Sequence, residues 1–212
     1  MCGRFANHLQ AMHEWMDILR DWPADIPTGF NVAPSQIIPA LQAEGTLPMR
    51  WGLVPAWSKE ANPKYATFNA RLESVADKPA FRNAWRRSQT CLVPALGYYE
   101  WRTESGVKQP YFVHPPESGG LMVFAGLWEQ HEGQYSCTIL TRPSEGELAQ
   151  LHDRMPVMLS HGDATSWLDQ GTNTADTLLE SNVHREVRFH PVDRAVGNPR
   201  NQGEALTHPI RE

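Results

Sequence analysis

Alternating apolar and polar positions dominate the middle of the chain and predict β-strands there. The run IIPALQAEGTLPMRWGLVP predicts two strands joined by a turn at Glu44-Gly45. Further strand-like runs are TCLVPALGYYEWR, QPYFVH, LMVFAGLWEQ, YSCTILTR and EVRFHPV. Because glycine-containing turns separate several of these runs, the pattern predicts antiparallel strands that follow one another as a meander.

Helical periods are short and lie around these strands. The first predicted helix covers residues 9–19, is capped by Asn7 and Gln10, and stops before Pro23. Shorter helices are predicted in PAFRNAWRR, DATSWLDQ and TADTLLES. The segments PTGFNVAPSQ and AWSKEANPKYATFNARLES show no clear period and are predicted to be loops.

The chain length and the absence of repeats or linkers indicate one domain over residues 1–212. With 212 residues, 41% of them hydrophobic, the chain can bury a substantial core. We predict the α+β class, with a curved antiparallel sheet or barrel-like sandwich flanked by short helices. The net charge of −5 argues against a protein that coats nucleic acid through bulk positive potential, although it leaves room for a local basic groove.

The cysteines and the N-terminus indicate the compartment. Cys2, Cys91 and Cys137 form an odd, widely spaced set without a CxxC pair, which favours a reducing compartment and no structural zinc. There is no signal-peptide pattern and no apolar run near the roughly 20 residues that a membrane span needs. We therefore expect a cytoplasmic protein that does not enter a membrane.

Cys2 directly follows the initiator methionine and is the first candidate for chemistry. Loss of Met1 would place an α-amine with a pKa of about 8 beside a thiol with a pKa of about 8.5. The amine can attack an aldehyde to give an imine, and the thiol can then close a thiazolidine ring. The alternative is an N-terminal cysteine without a role.

Three other polar residues stand out by their surroundings. Glu100 lies in GYYEW, where alternation places Tyr98 and Glu100 on one face; it is either a desolvated acid/base or a solvated residue of an edge strand. His152 in LHDRMPV is either an acid/base or a surface residue. Asn69 in FNARLES offers an amide to a ligand or caps a helix. No metal-ligand spacing and no nucleotide-binding motif is found.

Ordered motifs along the whole chain resemble the SOS-response-associated peptidase family of abasic-site processing proteins. They are MCGRF, NVAPSQ, WGLVPAW, NARLES, CLVPALGYYEW, QPYF, AGLWE, ILTR, LHDRMPV, and HPV with AVGNPRNQG. The resemblance implies a protein that binds an abasic site in single-stranded DNA and links itself covalently to the sugar aldehyde during DNA repair. The peptidase name would reflect removal of Met1.

The resemblance also implies roles for single residues. Cys2 would supply the amine and thiol, Asn69 would hold the sugar and the N-terminus, and Glu100 and His152 would move protons. Two further sets are implied to contact DNA: phosphate contacts from Arg4, Arg71 and Arg154, and apolar surfaces beside the missing base from Pro34, Trp57 and Trp101. For both tryptophans ordinary core packing is the alternative. No metal or cofactor is required.

Two other functions remain open at this point. An N-terminal-nucleophile amidohydrolase of the glutamine amidotransferase group also begins with Met-Cys-Gly, but the His-Asn-Gly turn expected there is missing. A non-catalytic module that binds single-stranded DNA is the third option. The expected partner is single-stranded DNA with an abasic site, with replication or repair proteins as further partners, and the chain is expected to act as a monomer that joins the nucleoid when bound to DNA.

Overall fold

Twelve strands and three short α-helices make up the described part of this computed structural model, which covers residues 2–8, 25–60, 66–116, 121–180 and 186–210. The strands are β1 (Phe5–Asn7), β2 (Gly29–Val32), β3 (Ile37–Gln42), β4 (Gly45–Trp51), β5 (Asn69–Arg71), β6 (Thr90–Ala95), β7 (Gly97–Glu104), β8 (Val107–His114), β9 (Met122–His131), β10 (Gln134–Pro143), β11 (Arg154–Pro156) and β12 (Arg188–Pro191). The helices are α1 (Arg82–Arg86), α2 (His161–Gln170) and α3 (Ala175–Glu180).

Five of the strands close into a barrel. The order is β10-β4-β3-β6-β9, and β9 pairs again with β10 to complete the circle. Gly126 of β9 permits this close packing, because a Cβ there would lie 2.7 Å from the Thr138 carbonyl oxygen and 2.9 Å from the Cys91 Sγ. The second sheet has the order β12-β8-β7-β1-β2 and packs on the barrel. The predicted α+β class with a barrel-like sheet is thus confirmed.

The main core lies where the two sheets meet. Phe5 of the second sheet packs edge-on against Trp51 of the barrel, with ring centroids 4.9 Å apart, and also contacts Phe124. Tyr98 joins the same cluster, and so does the fully buried Cys2. The N-terminal cysteine is therefore held by the core that joins the two sheets.

A second core covers the outside of the barrel and includes Trp167 of α2, whose indole is fully buried. Its Nε1–H lies 3.2 Å from two barrel carbonyls, those of Cys91 and Gly126. A capping box at Ser160 and Asp163 fixes the start of α2. The Trp167 side chain therefore links the adjacent barrel strands β6 and β9.

Replacing Trp167 by phenylalanine should lower the free energy of unfolding by about 1–3 kcal/mol. The substitution removes a donor from two buried carbonyls and leaves a small void. Urea unfolding measures this change, and Trp85→Phe is the control, since the half-buried Trp85 ring lies 6.4 Å from that of Trp167. Equal losses in both variants would contradict the importance of the indole bonds.

Several sequence predictions are confirmed, and three are wrong. The hairpin turning at Glu44-Gly45 and the short helices are present. The simple meander is wrong, since the chain changes sheet between β6 and β7 and between β8 and β9, and β10 pairs in parallel with β4 and β5. Residues 9–19, where the first helix was predicted, lie outside the described residues.

The other two errors concern predicted loops. Asn7, the predicted helix cap, lies in β1 and its Oδ1 accepts the Gly29 N–H at 3.0 Å, while the helix predicted after it lies outside the described residues. AWSKEANPKYATFNARLES is not all loop, because it contains β5, and PTGFNVAPSQ is not all loop, because it contains β2. There Asn31 is buried, and its Nδ2 donates to the carbonyls of Val196, Asn198 and Asn201. The local sequence around Asn31 could not predict these three partners, which come from a distant part of the chain.

None of the helices in the described ranges is long and apolar enough to cross a membrane.

Candidate active site

Cys2 lies just before β1 with its side chain fully buried. Its Sγ is 3.9 Å from the Arg4 carbonyl oxygen. Burial, and next the negative charge of Glu100, raise the pKa of the Cys2 thiol well above its usual range. The thiol is therefore protonated at neutral pH and needs a nearby proton acceptor before it can act as a nucleophile.

Glu100 lies in β7, on the face that points to the main core. The predicted alternation is confirmed, because Tyr98 packs in the main core with Cys2 while Tyr99 packs on the opposite side of the sheet. Glu100 is 5% exposed, so the alternative of a solvated edge residue is wrong. The Tyr99 N–H donates to the Arg4 carbonyl at 2.9 Å, and continuing this antiparallel pairing brings the N-terminus alongside Glu100.

Asn69 begins β5 and connects the barrel to the N-terminus. The strand pairs with β10, with Asn69 opposite Ile139. The Asn69 Nδ2 donates to the Cys2 carbonyl at 2.7 Å, and its Oδ1 is buried and accepts no hydrogen bond from the described residues. The helix-cap alternative is wrong, since Arg71 flanks the following turn and provides no side-chain cap.

His152 has two partners at one ring nitrogen. Its Nδ1 lies 3.0 Å from the Arg154 backbone N–H and 2.7 Å from Asp153 Oδ1. The neutral ring can accept from Arg154, and the protonated ring can donate to the Asp153 carboxylate. About a third of the side chain is exposed. This environment provides a hydrogen bond for either protonation state, as an acid/base requires.

An open apolar cleft of about 470 Å³ adjoins Asn69. Two other predicted site residues line it: Arg71, which is exposed, and Trp57, which is 51% exposed with its Nε1 donating to the Pro79 carbonyl. Core packing is therefore not the role of Trp57. The sequence analysis did not single out Phe81, which lines the cleft as well; no local motif marks it.

The other two predicted phosphate contacts, Arg4 and Arg154, are bonded to protein groups. Arg4 donates from Nη1 to Asn31 Oδ1 and to the Val196 carbonyl, and its guanidinium lies 6.0 Å from the centre of the half-buried Trp101 ring. Arg154 is 7% exposed and bonded to Glu73.

Pro34 lies in the turn between β2 and β3. The next N–H along the chain, that of Ser35, donates to the Trp51 carbonyl at 2.7 Å. Trp51 is followed by the segment that leads to Trp57. The turn with Pro34 is thereby attached to the start of that segment.

In the described ranges, no group of three or more histidine, cysteine, aspartate or glutamate side chains is arranged to hold a metal ion.

The family model for SOS response associated peptidase (SRAP) matches residues 1–199. The chain belongs to the SRAP family. Among curated SRAP relatives, abasic site processing protein YoaM of Bacillus subtilis is 35% identical, covering 97% of each chain. Abasic site processing protein HMCES of Pongo abelii is 30% identical, covering 99% of this chain and 76% of that protein.

Two solved structures share the fold of this chain. A protein from Bacteroides thetaiotaomicron superposes with a TM-score of 0.82 at 19% identity, covering 99% of this chain and all of the other. A protein from Bordetella bronchiseptica gives 0.79 at 23% identity, covering 91% of this chain and all of the other. At these identities the likeness concerns the fold alone.

Proposed function

We propose that this protein recognises an abasic site in single-stranded DNA and bonds covalently to the sugar aldehyde through Cys2, after removal of Met1. The observation that carries the proposal is the convergence of Cys2, Asn69 and Glu100, which lie far apart in sequence, with Asn69 lining an open cleft. The names of the SRAP relatives, abasic site processing proteins, support it.

The chemistry follows from the two nucleophiles of an N-terminal cysteine. The amine adds to the C1′ aldehyde of the ring-opened sugar, and loss of one water gives an imine. The sulfur then adds to the imine carbon while the thiol proton passes to nitrogen, which closes a thiazolidine. The net change is one water lost, and no oxidant or cofactor is needed.

Proton transfer is assigned to the buried acid/base groups. Because burial holds the Cys2 sulfur in its thiol form, ring closure needs an acceptor, and the nearby Glu100 carboxylate, whose charge already acts on this thiol, is assigned that part. Glu100 returns this proton to the developing amine. His152, with a partner for either protonation state, acts on the sugar hydroxyl during ring opening. Asn69 anchors the Cys2 carbonyl and so orients the amine.

The DNA strand is proposed to follow the apolar cleft. A nucleobase beside the gap stacks on the exposed face of Trp57, while Pro34 and Trp101 bound the neighbouring surface. Arg71, the exposed arginine on the cleft, contacts a phosphate, with Arg4 and Arg154 as the other proposed phosphate contacts. A few local contacts suffice even though the chain is acidic overall.

Trp57→Ala should weaken binding of a strand that carries a tetrahydrofuran abasic analogue by roughly 5- to 150-fold. This range corresponds to a stacking contribution of about 1–3 kcal/mol per base. Fluorescence anisotropy measures the dissociation constant, and Trp128→Ala is the control, since this half-buried tryptophan lies away from the cleft beside Tyr135. Unchanged affinity in Trp57→Ala would remove the stacking surface from the proposal.

Intact-protein mass spectrometry tests the function as a whole. The protein is incubated with a short single strand carrying one abasic site, beside an undamaged strand. The expected product is the chain without Met1, heavier by the oligonucleotide minus one water, and present only with the abasic strand. A processed chain that never forms an adduct would refute covalent capture. Glutamine hydrolysis, or equal binding of both strands, would then support the amidohydrolase or the simple binding module.

A further inference from the structure

The Glu73–Arg154 ion pair is a contact between two catalytic segments that the proposed chemistry does not use. The Arg154 Nη2 donates to Glu73 Oε2 at 2.8 Å and to the Thr141 carbonyl at 2.7 Å, while Nη1 bonds Glu73 Oε1. Arg154 is 7% exposed. Hydrogen bonding to Arg154 lowers the pKa of Glu73, so the pair is ionised at neutral pH. Such a forked pair between a buried arginine and an exposed glutamate is geometrically specific.

Three segments meet at this pair. Glu73 belongs to the 3-10 turn Leu72–Ser74, which directly follows β5 and therefore Asn69. Thr141 of β10 pairs with Arg71 on one side and with β11 on the other. Arg154 opens β11, two residues after His152. The side chains of Glu73 and Arg154 thus bridge the strand that carries Asn69 and the segment that carries His152.

The same residue also sets the orientation of the histidine. The Arg154 backbone N–H lies 3.0 Å from His152 Nδ1, and Asp153 Oδ1 lies 2.7 Å from the same nitrogen. A shift of Arg154 would therefore move one of the two groups that hold the ring. The guanidinium of Arg154 thus contacts Glu73, and its backbone N–H contacts His152, so that one residue joins the two segments.

We propose that Glu73 and Arg154 are positioning residues, which hold Asn69 and His152 in a fixed relation to Cys2. The inference rests on the proposed function and changes the expectation for Arg154. Its terminal nitrogens are held by protein groups, so its main contribution is to the rate of the reaction and not to the binding of phosphate.

Glu73→Gln tests the proposal, and Glu145→Gln is a matched control. Glu145 also pairs with a buried arginine, Arg142, with side-chain exposures of 45% and 8% against 41% and 8% for Glu73 and Arg154. Single-turnover crosslinking with saturating protein should slow between ten- and a hundredfold in Glu73→Gln, as a misplaced reacting group implies. Affinity for the tetrahydrofuran strand should change less than twofold. Glu145→Gln should react like the wild type.

A second readout separates positioning from a simple loss of stability. In the free protein, the ¹⁵N NMR signals of the His152 ring should shift in Glu73→Gln and stay unchanged in Glu145→Gln, because only the first variant loosens Arg154. This readout needs no DNA reaction.

The outcomes distinguish the two proposals. Tighter DNA binding with a steeper salt dependence and an unchanged rate in Glu73→Gln would mean that the arginine is a phosphate contact, and would overturn the positioning role. Equal rates in both variants would overturn it as well. A wild-type protein that forms no crosslink would refute the proposed function, while the NMR measurement would still decide whether the pair orients His152.

Discussion

Cys2→Ser should still capture an abasic strand, but only through a reversible imine. The serine variant keeps the N-terminal amine after Met1 removal and loses the sulfur that closes the stable ring. Its crosslink should survive denaturing electrophoresis only after borohydride reduction, whereas the wild-type crosslink should survive without it. The measurement is the fraction of strand that remains attached after heating, with and without borohydride.

The other two cysteines provide the control for this experiment. Cys91 and Cys137 are free and fully buried in the barrel. Cys137→Ala should therefore leave a crosslink as durable as that of the wild type, even if the fold is less stable. If the Cys2→Ser crosslink were as durable without borohydride as the wild-type one, the thiol would have no part in the product.

The position of Cys2 explains why such a protein would be selective. Reactive cysteines usually lie in electropositive surroundings that lower the thiol pKa. Here burial and Glu100 act in the opposite direction. A thiol held in its neutral form is a poor nucleophile towards chance electrophiles. Under the proposed function the amine reacts first, and this step selects for an aldehyde that can reach the site.

Local pattern was sufficient to predict the parts of this fold that depend on neighbouring residues. The hairpin at Glu44-Gly45 combines alternation with a turn signal, and the alternation around Glu100 correctly assigned its face. The sheet change after β6 and the parallel pairing of β10 depend on how the barrel closes. No short window of sequence contains that information.

In the candidate site, too, local sequence marks some residues but not the contacts between distant ones. Glu100 could be noted from its apolar neighbours, and Cys2 from its place in the chain. The contact between Asn69 and the Cys2 carbonyl joins residues 67 positions apart, and it depends on β5, a strand of three residues that is too short to show a period. The pair of Glu73 and Arg154 joins residues 81 positions apart, and no local motif marks Glu73. Such contacts depend on the fold and cannot be predicted from local sequence.

Glu100→Gln is expected to slow crosslinking by about 10²- to 10⁴-fold, the range attributed to a positioned acid/base. Affinity for the tetrahydrofuran strand should change little, because the amide occupies the same volume. Removal of the carboxylate charge should lower the pKa of the Cys2 thiol, which ¹³C NMR of labelled cysteine can follow. A thiol that ionises more easily yet reacts more slowly would identify Glu100 as the proton acceptor.

The matched control for Glu100 is Glu129, a second buried glutamate, which is 1% exposed in β9 and whose pKa is raised by burial. Because Glu129 is not among the groups that act on the Cys2 thiol, Glu129→Gln should crosslink at the wild-type rate and leave the thiol pKa unchanged. Parallel losses of rate and affinity in Glu100→Gln would show that Glu100 only supports the fold. A faster reaction would show that its charge merely restrains the thiol, and proton transfer would then have to be assigned to His152.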